Sequence, residues 1–346
     1  MNSAEYKITI GMPVYRVEDY IGATLARVLE QDMDGIEVLV VDDCGGDGSM
    51  DVVRRMQHEH PRGAGIRIVE HPENRGAAAA RNTIIQQARG RYLFFLDSDD
   101  LITPTAMSTL YRAAEQAEAQ VVYGSMTVCD GDVERYSVVL PDLTLAGEDA
   151  LTAYIYSDVR KNLPDSSCNI LMRTDFLRRY DIRYPDFRVG EDLMFNEQMQ
   201  PRVTKAVLLS AVTYYYVRHP GSLMNFQHRD VIDIEEVYQS FRYSALQKDY
   251  CSAMRHKPYF GGKCAKTMKA VFYSACGILK HRSQLSGTVS NREIRDTMRH
   301  PATLSEILAF KQQRGINLVF WLMGGLPPTL SVWLMTMVGR RKGYIK

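Results

Sequence analysis

The residues best equipped for chemistry lie in the stretch Arg91 to Leu101, RYLFFLDSDDL. The apolar run Tyr92 to Leu96 has the length and aromatic content of a buried strand, and it stops in three carboxylates within four positions. Asp97 and Asp99, two apart where the chain leaves that strand, can turn toward one point. Like charges held that close call for a hard divalent cation with oxygen ligands. The competing reading is an acidic turn that caps the next helix, with Asp100 or Thr103 at the N-cap before Pro104. A second carboxylate pair, Glu191 and Asp192, follows Gly190 where a helix is expected to start. A helix N-terminus favours the ionised form and so suits a general base; simple capping is the alternative.

The elements that must position these groups follow from periodicity. Strands are expected at 7–11, 36–41, 66–70, 92–96 and 120–124, with helices at 18–31, 49–59, 77–88 and 104–117 between them. This alternation implies right-handed crossovers and a parallel sheet covered on both faces, an α/β fold. Ligands of such sheets bind outside the carboxyl ends of the strands, where Tyr15, Asp42, Asp43, Asp97 and Asp99 would gather. So much acid suits a diphosphate only through a divalent metal that reverses the local field. Asp43 could accept from a base N–H or a ribose hydroxyl, or belong to an acidic turn before a glycine-rich loop. No GxGxxG follows the first strand, and GxxxxGK[ST], HExxH and GxSxG are absent.

Beyond Ser125 the pattern is less regular. A helix is expected at 150–157, a strand at 168–173, a short helix at 174–180, a loop turning helical at Glu191, and strands at 206–209 and 213–217. Further helices are expected at 231–248, 263–281 and 303–311. The 346 residues carry a net charge of +1, which argues against a nucleic-acid binder driven by phosphate neutralisation. Six scattered cysteines without a CxxC pair read as reduced, buried thiols, and the polar start MNSAEYK shows no signal peptide, so a cytoplasmic protein is expected. The segment 316–338 has no charged residue, holds both tryptophans, and precedes GRRKGYIK. Gly324, Gly325, Pro327 and Pro328 break it into halves too short to cross roughly 30 Å of hydrocarbon. A membrane-surface hairpin with Arg340, Arg341 and Lys342 toward anionic headgroups is expected, against a hairpin packed on the core or on a second subunit, a possible homodimer.

The ordered set PVY (Pro13 to Tyr15), VDDCGGDGS (Val41 to Ser49), NRGAAAARN (Asn74 to Asn82), DSDD, GED and RHPGS (Arg218 to Ser222) resembles the family 2 glycosyltransferases over about residues 6–222. The resemblance implies a GT-A fold, with residues 1–125 as the nucleotide-sugar half, 126–225 as the acceptor half and 226–346 as a C-terminal helical region. It implies an inverting enzyme that moves a sugar from a nucleoside-diphosphate donor, UDP before GDP or dTDP, to a glycan or lipid-linked glycan at the inner face of the cytoplasmic membrane, as in capsule, exopolysaccharide or O-antigen synthesis. By the same resemblance Pro13, Tyr15 and Asp43 hold the base, Arg81 contacts base or phosphate or is structural, and Asp97 and Ser98 reach the ribose. Asp99, with Asp97, holds Mn2+ or Mg2+. Arg218 neutralises the diphosphate, His219 is a candidate third metal ligand, Asp192 is the catalytic base, and Glu191 touches the acceptor. The motif reads DDCGGDGS where DDGSTDGS is usual, which keeps the acids and alters the loop. A non-catalytic scaffold subunit is the alternative function. A sugar nucleotidyltransferase is disfavoured, because the loop after strand one is PVYRVEDY and not glycine-rich and basic.

Overall fold

The computed structural model describes residues 6–131, 133–157, 163–187, 190–219 and 231–345. Two compact units emerge, Met1–Leu151 with Leu163–Ser222, and Thr152–Asn162 with Leu223–Lys346. In the first, β1 (Tyr6–Val14), α1 (Ile21–Leu29), β2 (Ile36–Asp42), α2 (Ser49–Glu59), β3 (Ile66–Glu70), α3 (Gly76–Gln87) and β4 (Gly90–Phe95) alternate as the periodicity requires. The strands β3, β2, β1 and β4 pair in parallel. Ile8, Ile10 and Met12 of β1, Leu39 to Val41 of β2 and Leu93 to Phe95 of β4 are all fully buried, so both faces of these strands are covered. β4 starts at a glycine for a steric reason: a Cβ on Gly90 would stand 2.3 Å from the backbone nitrogen of Thr9 on β1.

The chain continues through β5 (Leu101–Ile102), α4 (Ala106–Ala117), β6 (Val121–Asp130), β7 (Val133–Val138), β8 (Leu143–Ala146), α5 (Ala150–Ser157), β9 (Ile170–Arg173), α6 (Thr174–Arg179), α7 (Glu191–Met199) and β10 (Lys205–Arg218). Here the sheet departs from the all-parallel expectation. β9 inserts antiparallel between β4 and β6, giving the order β3-β2-β1-β4-β9-β6-β10-β5 with β7 on β6 and β8 on β10. The strands expected at 206–209 and 213–217 are one strand, β10, whose pairing with β6 shifts register between Leu208 and Tyr214. The irregularity is held by side chains, with Ser125 Oγ donating to the Leu209 carbonyl and Ser210 bonded to Asp142. β7, VERYSV, is almost wholly exposed and so carries no apolar alternation to announce it.

The second unit is helical, with α8 (Ile234–Ala253), α9 (Phe260–Lys280), α10 (Asn291–Thr297), α11 (Leu304–Ala309), α12 (Arg314–Gly325) and α13 (Pro328–Arg341). Capping boxes start α10 at Ser290–Glu293 and α11 at Thr303–Glu306, and a proline opens α13. The expected hairpin is α12 and α13. Each buries one face, Phe320 and Met323 on α12 and Val332 and Met335 on α13, in a core with Met268, Phe272 and Met298. Their other faces expose Val319, Leu322, Leu330, Trp333 and Met337. Among the described residues no helix is long and apolar enough to cross a membrane.

Candidate active site

At the carboxyl end of β1, Val14 pairs with Asp42 of β2, and the chain turns out at Tyr15, which is 41% exposed with the Arg16 guanidinium 5.2 Å from its ring centre. Arg16 Nε donates to the Gly45 carbonyl across the entry of a cleft of about 300 Å³. Val14, Asp42, Cys44, Asp47 and Met50 line it. Cys44 therefore differs from the other five cysteines, which are buried thiols; it is exposed in this cleft, on a backbone of φ 56°.

Asp43 lies inside. It is 2% exposed and accepts from His71 Nδ1 at 2.7 Å, Arg75 N at 2.9 Å and Gly76 N at 2.8 Å. The last two donors open α3, so Asp43 acts first as the anchor of that helix. Three donors leave a carboxylate with about one lone-pair site for a ligand.

The DSDD turn follows β4, whose end is fixed by Leu96 N donating to the Gly11 carbonyl. Each residue has a distinct setting. Asp97 Oδ1 accepts from Arg81 Nη2 at 2.8 Å. Ser98 is buried, donates from Oγ to the Pro13 carbonyl at 2.7 Å and accepts at its own carbonyl from Thr24, so it ties the turn to β1 and α1. Burial raises the Asp99 carboxyl above its ordinary value, with the Asp97 charge next and His219 opposing. Asp100 is 2% exposed and accepts from the Tyr214 hydroxyl at 2.6 Å and Val217 N at 2.7 Å, pinning β10 to the turn. The capping alternative for this turn fails, because the N-cap of α4 is Thr105 and makes no side-chain bond.

β10 ends beside the turn. His219 Nε2 lies 3.0 Å from the Asp99 carbonyl, and its ring centre is 3.9 Å from that of Tyr20 with the planes tilted by 33°. Arg218 is exposed; Nη2 donates to the Tyr136 hydroxyl at 3.3 Å and Nη1 is 3.9 Å from Asp130. Pro220, Gly221 and Ser222 of the RHPGS stretch, and residues 188 and 189 ahead of Gly190, lie outside the described residues.

Gly190, at φ 88°, supplies the left-handed turn that starts α7 and places Glu191 and Asp192 in its first turn. Arg81 of α3, 5% exposed, joins the two acidic motifs. Besides Asp97 it donates from Nη1 to Glu191 Oε1 at 3.0 Å and stands 3.8 Å from Asp192 Oδ1, with its guanidinium over the Tyr184 ring. Burial raises the Glu191 carboxyl, Asp192 raises it further, and Arg81 opposes both. Arg81 is thus an internal clamp between the DSDD turn and the Glu191–Asp192 pair. Ser167, which donates to Asp192, and Tyr184, which donates to Ser167, carry no motif or spacing that could have marked them.

Among the described residues no three His, Cys, Asp or Glu side chains converge as a cation cage. The donor set still fits a hard divalent ion. Asp97 and Asp99 bring mutually repelling oxygens, His219 adjoins Asp99, and a magnesium-like ion takes its other positions from phosphate and water.

A family model described as Glycosyl transferase family 2 matches residues 9–181, half of the chain. The chain belongs to this family. As a family 2 glycosyltransferase it is 27% identical to the uncharacterized glycosyltransferase EpsJ of Bacillus subtilis over 269 residues, covering 75% of this chain and 73% of EpsJ. Its structure is similar to that of S. aureus TarS 1–349 in complex with UDP-GlcNAc, with a TM-score of 0.57 at 18% identity over 92% of this chain and 90% of that one. The mannosyltransferase PcManGT from Pyrobaculum calidifontis, in complex with GDP-Man and Mn2+, superposes with a TM-score of 0.51 at 17% identity, covering 95% and 86%. The enzyme's sheet and flanking helices are thus the GT-A fold, followed by a C-terminal helical region.

Proposed function

We propose that this glycosyltransferase moves a sugar from a nucleoside-diphosphate sugar, a UDP-sugar first, to a hydroxyl of a glycan or lipid-linked glycan with inversion, as a step of bacterial polysaccharide assembly such as capsule or exopolysaccharide. The observation that carries this reading is the Arg81 clamp, which sets Asp192 and the DSDD turn on one site. Asp192 takes the acceptor hydroxyl proton while the oxygen attacks the anomeric carbon, and one displacement inverts that centre. Glu191, on the same turn, orients the acceptor. The base and ribose lie along Pro13, Tyr15, Asp42 and Ser98, with Asp43 bracing the wall behind them; Arg81 reaches the nucleotide only through Asp97. Asp97 and Asp99, with His219, would hold Mn2+ or Mg2+, which meets the charge on the departing diphosphate when bound. Arg218 lies where it can add positive charge to the same group. Residues 1–125 then supply the donor half and 126–225 the acceptor half. UDP-GlcNAc on TarS and GDP-Man with Mn2+ on PcManGT support the donor class.

Calorimetry with UDP, GDP and dTDP, each with and without Mn2+, tests the donor site. One nucleotide should bind in a Mn2+-dependent manner, and Asp99→Ala should weaken it at least roughly tenfold. Equal binding by Asp99→Ala would remove Asp99 from the metal site. Binding without turnover of any sugar would favour the scaffold reading.

The outer face of α12 and α13 supports a peripheral place on an anionic membrane, the inner leaflet of the cytoplasmic membrane. Leu330, Trp333 and Met337 form one exposed stripe along α13 that runs into exposed Arg340, Arg341 and Lys342. Lys269 of α9 is lowered by burial and then by Lys342, so positive charge is crowded at this edge, beside the exposed Tyr273 and Tyr344 rings 5.3 Å apart. Sedimentation with vesicles should show binding when phosphatidylglycerol is added to phosphatidylcholine, reversed by high salt and by Trp333→Glu. Absence of vesicle binding would sink this reading, and a dimer in solution dispersed by Trp333→Glu would make a second copy the occupant of the face.

A further inference from the structure

The carboxylate of Asp192 is held by one oxygen. Both of its contacts among the described residues fall on Oδ1, which accepts from the Ser167 hydroxyl at 2.5 Å and stands 3.8 Å from Arg81 Nη1. Ser167 is fully buried, and its Oγ accepts in turn from the Tyr184 hydroxyl at 2.6 Å. The direction of this chain is fixed by donor inventory. Burial, and then the Asp192 charge, push the Tyr184 phenol well above its ordinary value, so it keeps its proton and donates. Ser167 has a single proton, and the carboxylate is where it goes.

Every link is braced. The Tyr184 backbone is clasped by Asn82 of α3, whose Oδ1 accepts from Tyr184 N at 2.9 Å and whose Nδ2 donates to the Tyr184 carbonyl at 2.8 Å. Its ring lies flat on Phe195 of α7, centroids 4.3 Å apart, with the Phe95 ring edge-on to it. Asn196, four residues beyond Asp192 on α7, donates from Nδ2 to the carbonyls of Asp165 and Ser166, which fixes the Ser167 segment against the same helix. Donor and acceptor therefore cannot drift apart without breaking several partly buried bonds. Sequence separations of 25 between Ser167 and Asp192 and 17 between Tyr184 and Ser167 make this a tertiary device and not a cap.

We infer that Ser167 and Tyr184 are positioning residues for sugar transfer, which hold Asp192 by Oδ1 and leave Oδ2 for the acceptor hydroxyl. This rests on the role of Asp192 as base proposed above. A base held in one orientation meets the acceptor proton without first losing rotational freedom, and small losses of such alignment are costly to rate.

The test is nucleoside-diphosphate release from UDP-glucose, UDP-N-acetylglucosamine and GDP-mannose, continued with whichever donor the wild-type enzyme turns over. Ser167→Ala should lower kcat by roughly 10- to 100-fold with donor KM unchanged. Tyr184→Phe keeps the ring stack and removes only the hydroxyl; it should lower kcat by a smaller factor, roughly threefold to tenfold, with donor KM unchanged. It also keeps the test decisive if Ser167→Ala folds poorly. Wild-type kcat in Tyr184→Phe and Ser167→Ala, with Asp192→Asn inactive, would overturn the positioning role and leave the base intact. A change confined to KM or thermal stability would reduce both residues to structural ones. Turnover by Asp192→Asn would overturn the base reading itself.

Discussion

Asp192→Asn lowers kcat for sugar transfer by roughly 100- to 10,000-fold and leaves nucleotide binding close to wild type. The amide is the same size and still accepts the Ser167 hydrogen bond at its oxygen, so α7 and the clamp around Arg81 stay in place. What the variant loses is the capacity to take a proton from the acceptor hydroxyl. Because that interaction develops only as the acceptor oxygen attacks, the loss falls on kcat and kcat/KM together, with donor KM unchanged. Asp192 does not touch the DSDD turn directly, since Arg81 stands between them.

Arg81→Met costs about 3–5 kcal/mol of stability, because it strips the shared cation from Asp97, Glu191 and Asp192. Arg81→Lys does not restore the protein, since one ammonium cannot span the Asp97 and Glu191 contacts made by two guanidinium nitrogens. The defect depends on pH with a definite sign. Glu191 is already raised above its unfolded value by burial and by Asp192, and Arg81 is among the groups that oppose this. Without Arg81 the carboxyl rises further, so between its unfolded and folded values the folded state holds more protons than the unfolded one. Stability then falls as pH rises through that window and recovers on acidification. Urea midpoints at pH 5 and pH 8 check this: the gap between Arg81→Met and wild type should be smaller at pH 5. A gap of equal size at both values would mean that Glu191 does not feel Arg81.

Much of the β1–β4 half was legible in sequence, because each piece is local. A wholly apolar run that stops in DSDD is a buried strand meeting an acidic turn, and β4 with its turn lies where that pattern puts it. The same holds for α2 and β3, whose bounds match their periodicity. What sequence could not show are partners distant along the chain. Arg81 reads as one arginine in an alanine-rich helix, and only the fold reveals that Glu191, 110 residues on, shares its guanidinium with Asp97. Asp43 reads as a ligand-facing acid because nothing local announces that His71, Arg75 and Gly76 converge on it. β9 reads as a strand, yet its antiparallel place between β4 and β6 depends on pairing that four residues cannot encode. The hairpin of α12 and α13 shows an apolar segment with two destinations, since one face completes a core and the other stays exposed.

We propose Asp192 as the base of a sugar transfer at a site shared with the DSDD turn. The most direct measurement is nucleoside-diphosphate release, with water accepting the sugar, by wild-type and Asp192→Asn protein side by side, at one saturating nucleotide sugar with Mn2+, alongside calorimetric binding of the same nucleotide to both. The account predicts release by the wild type, loss of release by the variant, and equal binding by the two. Equal release by both proteins would contradict it.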